Sequence, residues 1–367
     1  MEHLLALPAG AAIALVWANL RPESYYTFTY TMAFAVNDVA MAFFFALIFK
    51  EVVEATAPGG VLHPFRRALF PVVVAIVASL LPGLLHVFIV DWLDEPALQV
   101  AWPVALATDL AFSYFIARII FGAKHPVIPV VLLIGIACDL CAFLAIGLFH
   151  PTEDLRPGRG VLIFAGALAI AVALRRARVR SFWPYLLGAG GASWYAFFAS
   201  GLHPALALVP IMPFLPHAAR DPGFFVDASP DAHDALNRFE LWWRHPAQIA
   251  LFFFGLVNAG VSLRALEPGT WGLPAAVIVG RPLGVLVGAS LAFAVGLHVP
   301  HRLGWRELLV VGFVVAIEFS VGLFASAALL PPGQLLAETS MGALLTLAGA
   351  PLAFVAARLL RVGRFGS

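Results

Sequence analysis

Charge is what this sequence has least of. Asp, Glu, Lys and Arg make up 12% of its 367 residues, against about 25% in an ordinary soluble domain. That shortage excludes a water-facing surface around a folded body of this length. The charges that do occur nearly cancel, to a net of +1, and no arginine-rich tract interleaved with aromatics is present. Nucleic acid and acidic macromolecules are therefore not indicated as partners. Cysteine is almost missing too, with Cys138 and Cys141 alone. Their CxxC spacing would suggest redox or zinc chemistry in a soluble chain. No second ligand pair accompanies them, and both lie inside an apolar run, where they read as small packing side chains. A signal peptide's positive n-region is lacking as well: Glu2 and His3 precede the first apolar run, and no clear cleavage site follows it. That run reads as a retained helix.

What is abundant is apolar surface. Hydrophobic residues make up 62% of the chain, and the mean hydropathy is +0.93. A membrane-spanning helix takes roughly 20 mostly apolar residues. Hydropathy marks about twelve transmembrane helices, at 4–20, 27–52, 68–90, 98–122, 126–149, 160–175, 183–199, 202–216, 246–265, 271–297, 307–330 and 335–360. The fold class expected is all-α integral membrane, one polytopic domain over 1–367. A strand barrel would show alternation in segments of about ten residues, and these runs are longer and uniformly apolar. The one long polar stretch, 217–244, reads as a cytoplasmic loop. Lys and Arg concentrate in cytoplasmic loops. Placing the N-terminus inside assigns seventeen of the 22 basic residues to that side and four to the other, with Arg281 left within a span. Both termini are then cytoplasmic, and the lipid bilayer is the principal partner.

A charge near the bilayer centre costs at least about 2.5–3.5 kcal/mol, so charged residues within spans are candidates for function. Five stand out: Asp38, Asp109, Asp139, Arg281 and Glu318. Internal ion pairs would explain some of them, but four carboxylates against one guanidinium do not balance. Something must be protonated or must bind a cation. Asp109 lies in PVALATDLAFSYF, beside Thr108, and Glu318 in GFVVAIEFSVGLF, both spans interrupted by Pro, Gly, Ser or Thr. Transporters build sites from such interrupted helices, whose exposed half-helix ends carry partial charge. The small residues Gly312 and Gly322 equally suit close helix packing.

At its aspartates the sequence resembles the NhaA-type sodium/proton antiporter family, colinearly over nearly the whole chain. NDVAMAFFFALIFKEV, ALATDLAFSYF, LLIGIACDLCAFLAIGLF, SGLHPALA, HPAQIALFFFGLVNAGVSL, VGRPLGV and VAIEFSVGLFASAAL follow in the family's order. The resemblance implies inverted repeats with helices 4 and 11 interrupted. It further implies a bacterial inner-membrane location and exchange of Na⁺ or Li⁺ for H⁺ without a cofactor. By position, Asp139 matches the ion-binding carboxylate, which makes it the metal ligand for transported Na⁺, and Asp109 and Thr108 match the pair at the helix 4 break. Asp38 matches a buried acid, and His203 matches a histidine tied to pH response; read alone, it is a satisfied helix-end histidine. Asn258 fits a helix–helix hydrogen bond as well as a functional role.

Departures from the family pattern modify the expectation. Cys138 stands where the family has the first of two adjacent aspartates, Arg281 replaces a lysine, and Glu318 replaces a glycine. The Leu20–Ala33 connection is short for the family's dimerisation hairpin, so a homodimer is only one option. Arginine effectively never deprotonates, and a buried thiol is a poor sodium ligand. One-for-one exchange through Asp139 is therefore expected in place of an electrogenic two-proton cycle. Glu318 is either a replacement second carboxylate or a partner of Arg281. Two other transport-fold readings are a sodium-coupled organic-anion carrier, with Arg281 facing the anion, and a transport-impaired paralogue. An intramembrane aspartyl protease would need a Gly-x-Gly-Asp sequence, which does not occur.

Overall fold

The computed structural model describes residues 6–58, 69–122, 125–149, 157–200, 202–216, 234–263, 266–297 and 303–366. No strand occurs among them. The helices are α1 (Ala6–Leu20), α2 (Pro22–Ala33), α3 (Met41–Thr56), α4 (Leu69–Trp92), α5 (Leu110–Phe121), α6 (Val127–Phe149), α7 (Pro157–Arg176), α8 (Gly191–Ser200), α9 (Ala235–Asn258), α10 (Gly272–Ala294), α11 (Trp305–Val314), α12 (Phe319–Leu329), α13 (Gln334–Leu345) and α14 (Gly349–Leu360). Widened π turns at Phe34–Ala40 and Tyr185–Gly190 lead into α3 and α8. Among the described residues six helical runs are long and apolar enough to cross a membrane. They are Pro22–Leu47, Leu69–Trp92, Val130–Phe149, Gly158–Arg176, Pro268–Ala294 and Gln334–Phe365. A seventh is added if α11 and α12, bent by 50° at their junction, count as one span. Ala6–Leu20, Phe112–Phe121 and Pro204–Phe214 are apolar but shorter.

Local chemistry explains where the structure departs from the hydropathy reading. The apolar run at 202–216 forms no α-helix; it is two 3₁₀ segments, Pro204–Leu206 and Val209–Phe214. Pro204, Pro210 and Pro213 each lack the N–H that an α-helical ladder would use. The connection before Ala33 is not a loop, because Pro22 opens α2 directly after Arg21, the first-turn position that proline tolerates best. The polar stretch at 217–244 is not wholly a loop either. Helix α9 begins at Ala235, with Asp234 Oδ1 accepting from the Asn237 N–H at 2.9 Å, an N-cap arrangement that fixes the start. The expected loop at 217–233 lies outside the described residues.

The chain packs as two compact units, each assembled from two stretches. The first comprises Met1–His63 and Gly147–Val257. Its core gathers Ala46, Tyr185, Leu186, Ile211, Met212 and Phe239. Within it Lys50 is 3% exposed and joins α3 to α9 through Glu54 at 2.7 Å and Glu240 at 2.6 Å.

The second unit comprises Pro64–Ile146 and Asn258–Ser367. Each of its two stretches runs in the same order: a long helix (α4 or α10), a segment that loses helical geometry part-way, and a further helical run (α6, or α13 with α14). Its spine is the antiparallel pair α4 and α10. A Cβ on Gly280, Gly284 or Gly288 would lie 2.9, 2.6 or 2.8 Å from the Cα of Pro82, Ala78 or Val74 respectively. Small residues every fourth position thus let the two backbones touch, which is how helices associate when lipid removes any hydrophobic drive between them.

Candidate ion-binding site

The site lies where two non-helical segments of the second unit meet. After the 3₁₀ turn Val104–Leu106 the chain extends, with Ala107 at ψ 166° and Asp109 at ψ 97°, before α5 starts at Leu110. Between α11 and α12 it leaves the helix at Val315, and Glu318 sits at φ −130°. Every helix end exposes backbone groups that need partners, and burial away from water makes an unmet group expensive. Side chains of a few polar residues meet these demands.

The carbonyl ends are served by donors. Arg281, fully buried on α10, donates to Leu106 O and Ala105 O at 3.1 Å each, and also to Ala107 O. Ser79 on α4 adds a 2.8 Å bond to Leu106 O. At the end of α11, the Thr108 hydroxyl donates to Val315 O at 2.6 Å and the Ser113 hydroxyl to Val314 O at 3.0 Å. The Asp109 N–H donates to Ile317 O at 2.6 Å. The N–H ends are served by one carboxylate: Asp109 Oδ1 accepts from Phe112 N at 3.0 Å at the start of α5, and Oδ2 accepts from Ser320 N at 2.9 Å at the start of α12. A negative group at two positive helix ends, and a positive group at a negative end, is the pairing that helix dipoles favour.

Asp139 enters this crossing from α6. Gly135, one turn earlier, brings α6 onto the extended segment, since a Cβ there would stand 2.7 Å from Leu110 Cδ1 and 3.4 Å from Thr108 Cγ2. Asp139 is 1% exposed; its Oδ1 accepts from Thr108 N at 3.0 Å, and its Oδ2 is buried with no partner. Cys138, also buried, makes a long 3.6 Å contact from Sγ to Ala75 O. Glu318 is fully buried, and neither of its carboxyl oxygens has a hydrogen-bond partner. Of the two roles open to Glu318 in the sequence, pairing with Arg281 does not occur: the guanidinium is turned to the backbone at 105–107. Gly312 and Gly322 are packing positions, against Pro282 and Ala343.

Thr108, Asp109, Cys138, Asp139, Arg281 and Glu318 thus belong to one cluster. Asp38 and His203 belong to the first unit. There Asp38 lies in the π turn Phe34–Ala40, and its carbonyl accepts from Trp194 Nε1 at 3.0 Å. His203 heads the 3₁₀ turn Pro204–Leu206, with Nδ1 accepting from Ala205 N at 3.3 Å and lying 3.9 Å from Asp38 Oδ1. Asn258, half-buried, is the last residue of α9. Ser79 and Thr346 join the site without carrying a charge or a motif that marks them in the sequence. Thr346 accepts from Glu318 N at 3.0 Å and donates to Ala343 O at 2.6 Å. Both are single hydroxyls inside apolar runs, and that was the available signal.

The family model described as Na+/H+ antiporter 1 matches residues 4–360. The Na(+)/H(+) antiporter NhaA of Geotalea uraniireducens (strain Rf4) is 37% identical over 373 residues, covering 100% of this chain and 97% of that protein. NhaA proteins from Desulfitobacterium hafniense (strain Y51) and Jannaschia sp. (strain CCS1) are each 36% identical, covering 98% of this chain and 95% and 96% of their own lengths. The chain therefore belongs to the Na+/H+ antiporter 1 family.

Proposed function

We propose that this chain is a secondary transporter that exchanges Na⁺ or Li⁺ for H⁺ across a bacterial inner membrane, with Asp139 as the exchanging group. The observation that carries this is the unpartnered Oδ2 of a buried carboxylate at the crossing of two broken segments. An ionised carboxylate in such a place must be offset by a counter-charge. Arg281 makes no hydrogen bond to it, because the guanidinium is turned to the carbonyls of 105–107, and Asp109 is a second acid, bound to two helix N-termini. A proton or a small hard cation is left, and one oxygen cannot hold both at once. Competition between the two, together with access from one side at a time, is sufficient for exchange. Thr108, Asp109 and Arg281 keep the crossing assembled. Twelve spans, both termini in the cytoplasm and an inverted repeat of two three-part stretches belong to this reading. The repeat is supported by the matching order of elements in the second unit and by the antiparallel run of α4 against α10. A homodimer would have to form without a loop hairpin between α1 and α2. The organic-anion alternative is disfavoured, because Arg281 is turned to three backbone carbonyls and faces no open site.

The test is Na⁺-driven pH change in proteoliposomes. Asp139→Asn should abolish it while the purified protein keeps its monodisperse profile and melting temperature. Exchange that persists at the wild-type rate in Asp139→Asn would remove the assignment.

A further inference from the structure

The Glu318 carboxyl takes no part in the hydrogen bonds that hold the crossing together. It occupies the position before α12 from which a side chain ordinarily caps the second or third helical N–H. Here that cap is not made. The reason is local: the Ser320 N–H, the natural target, is already held by Asp109 Oδ2 at 2.9 Å. The Glu318 backbone is pinned by Thr346, through the 3.0 Å bond to its N–H. The side chain lies fully buried, and neither oxygen has a partner in hydrogen-bonding geometry, the Ala107 N–H being the backbone group that acts on it.

The charge balance of the cluster then has a definite form. Asp109 is offset by two helix N-termini, and Arg281 by the carbonyls of 105–107. Two acids remain with no fixed counter-charge, Asp139 and Glu318. The charged groups that act on Glu318 are Arg281 from α10 and Asp139 from α6. On α13, packed against α12, the one charged side chain is Glu338.

From this geometry we infer that Glu318 is a second proton carrier of the exchange cycle, loaded when Asp139 is protonated and emptied when the cation binds there. The inference rests on the exchange reading given above. Two protons then cross for each Na⁺ or Li⁺, so each cycle moves one net charge. Loss of a proton from Glu318 leaves its carboxylate beside the cation-bound Asp139 and the Arg281 guanidinium. This departs from the one-for-one ratio that Cys138 and Arg281 led us to expect, and it assigns the second acid to a different helix.

The experiment is the proton-to-sodium ratio in proteoliposomes, read from the sodium gradient that nulls proton flux at a series of clamped potentials. Wild type should be driven by voltage, with a ratio of two. Glu318→Gln should still exchange, with a ratio of one and no response to voltage. Voltage-insensitive wild-type exchange, or a voltage response that survives Glu318→Gln, would overturn the inference while leaving Asp139 in its role. Absence of Na⁺-driven flux from wild type would remove both. Infrared difference spectra of wild type on adding Na⁺ need no folded Gln variant. Loss of two protonated carboxyl bands, one of them missing in Asp139→Asn, supports the second carrier, and loss of a single band overturns it.

Discussion

Asp109 is the side chain on which both broken segments depend, and its replacement by Asn isolates what the charge contributes. Asn keeps one acceptor oxygen, so either Phe112 N or Ser320 N loses its partner and faces an amide NH₂ instead. A stranded buried N–H costs about 1–3 kcal/mol. Removing the negative charge forfeits a further ~0.3–2 kcal/mol at each of two helix N-termini. Together these give about 2–7 kcal/mol, a large fraction of a typical fold stability of ~5–15 kcal/mol. Asp109→Ala strands both N–H groups and should fall further by about 1–3 kcal/mol. Ser113→Ala removes only the bond to Val314 O and should lose about 1 kcal/mol. Thermal unfolding of detergent-purified protein should therefore rank wild type, Ser113→Ala, Asp109→Asn and Asp109→Ala in descending order. The Asn variant should fall by on the order of 5 °C, since ~1 kcal/mol moves Tm by roughly 2–4 °C in shorter chains and by less in longer ones. With Asp109 only 1% exposed, choline chloride should not alter the gap, because screening acts weakly on buried charges. If Asp109→Asn melts no lower than Ser113→Ala, the carboxylate charge does not hold the breaks together.

Three further outcomes follow from contacts outside that crossing. Lys50→Met leaves Glu54 buried and Glu240 half-buried beside an apolar side chain, which should destabilise by up to about 3 kcal/mol; the triple variant with Glu54→Gln and Glu240→Gln should recover part of the lost melting temperature. Gly284→Ala puts a methyl 2.6 Å from Ala78 Cα and should lower Tm sharply, whereas Gly166→Ala on α7, whose Cβ would meet nothing, should leave it level or raise it by the equivalent of about 0.5–1 kcal/mol. Tyr25→Phe removes the hydroxyl that reaches Leu256 O and Val257 O at 3.0 Å; a loss of about 0.5–1.5 kcal/mol in melting experiments is expected, with sodium affinity unaltered.

The acids at 109 and 318 stand out in the sequence because each interrupts a run of apolar residues, and the chain does leave helical geometry beside both. What the sequence could not express is direction. Four carboxylates and one guanidinium invite pairing by sign, yet Arg281 pairs with carbonyl dipoles and Asp109 with N–H dipoles. Those partners are backbone atoms, present at every position and made special only by the fold. Lys50 is concealed for a related reason. At the end of an apolar run a lysine looks solvated, and only the return of α9 carrying Glu240 covers it. Prolines at 204, 210 and 213 were legible as breakers, but hydropathy counts apolar side chains and takes no account of missing N–H groups. Thr346 and Ser79 are single hydroxyls whose worth depends on which backbone group they happen to face.

At Gly280, Gly284 and Gly288 the α10 backbone meets the α4 backbone directly, leaving little between them to absorb a small displacement. Successive rungs lie four residues, about 6 Å, apart along the axis, so intermediate offsets would press a helix ridge into Cα atoms. The two rods are consequently geared. They keep their register or jump a whole tooth, and any sliding of Arg281 along α10's axis would have to take Ser79 on α4 along with it.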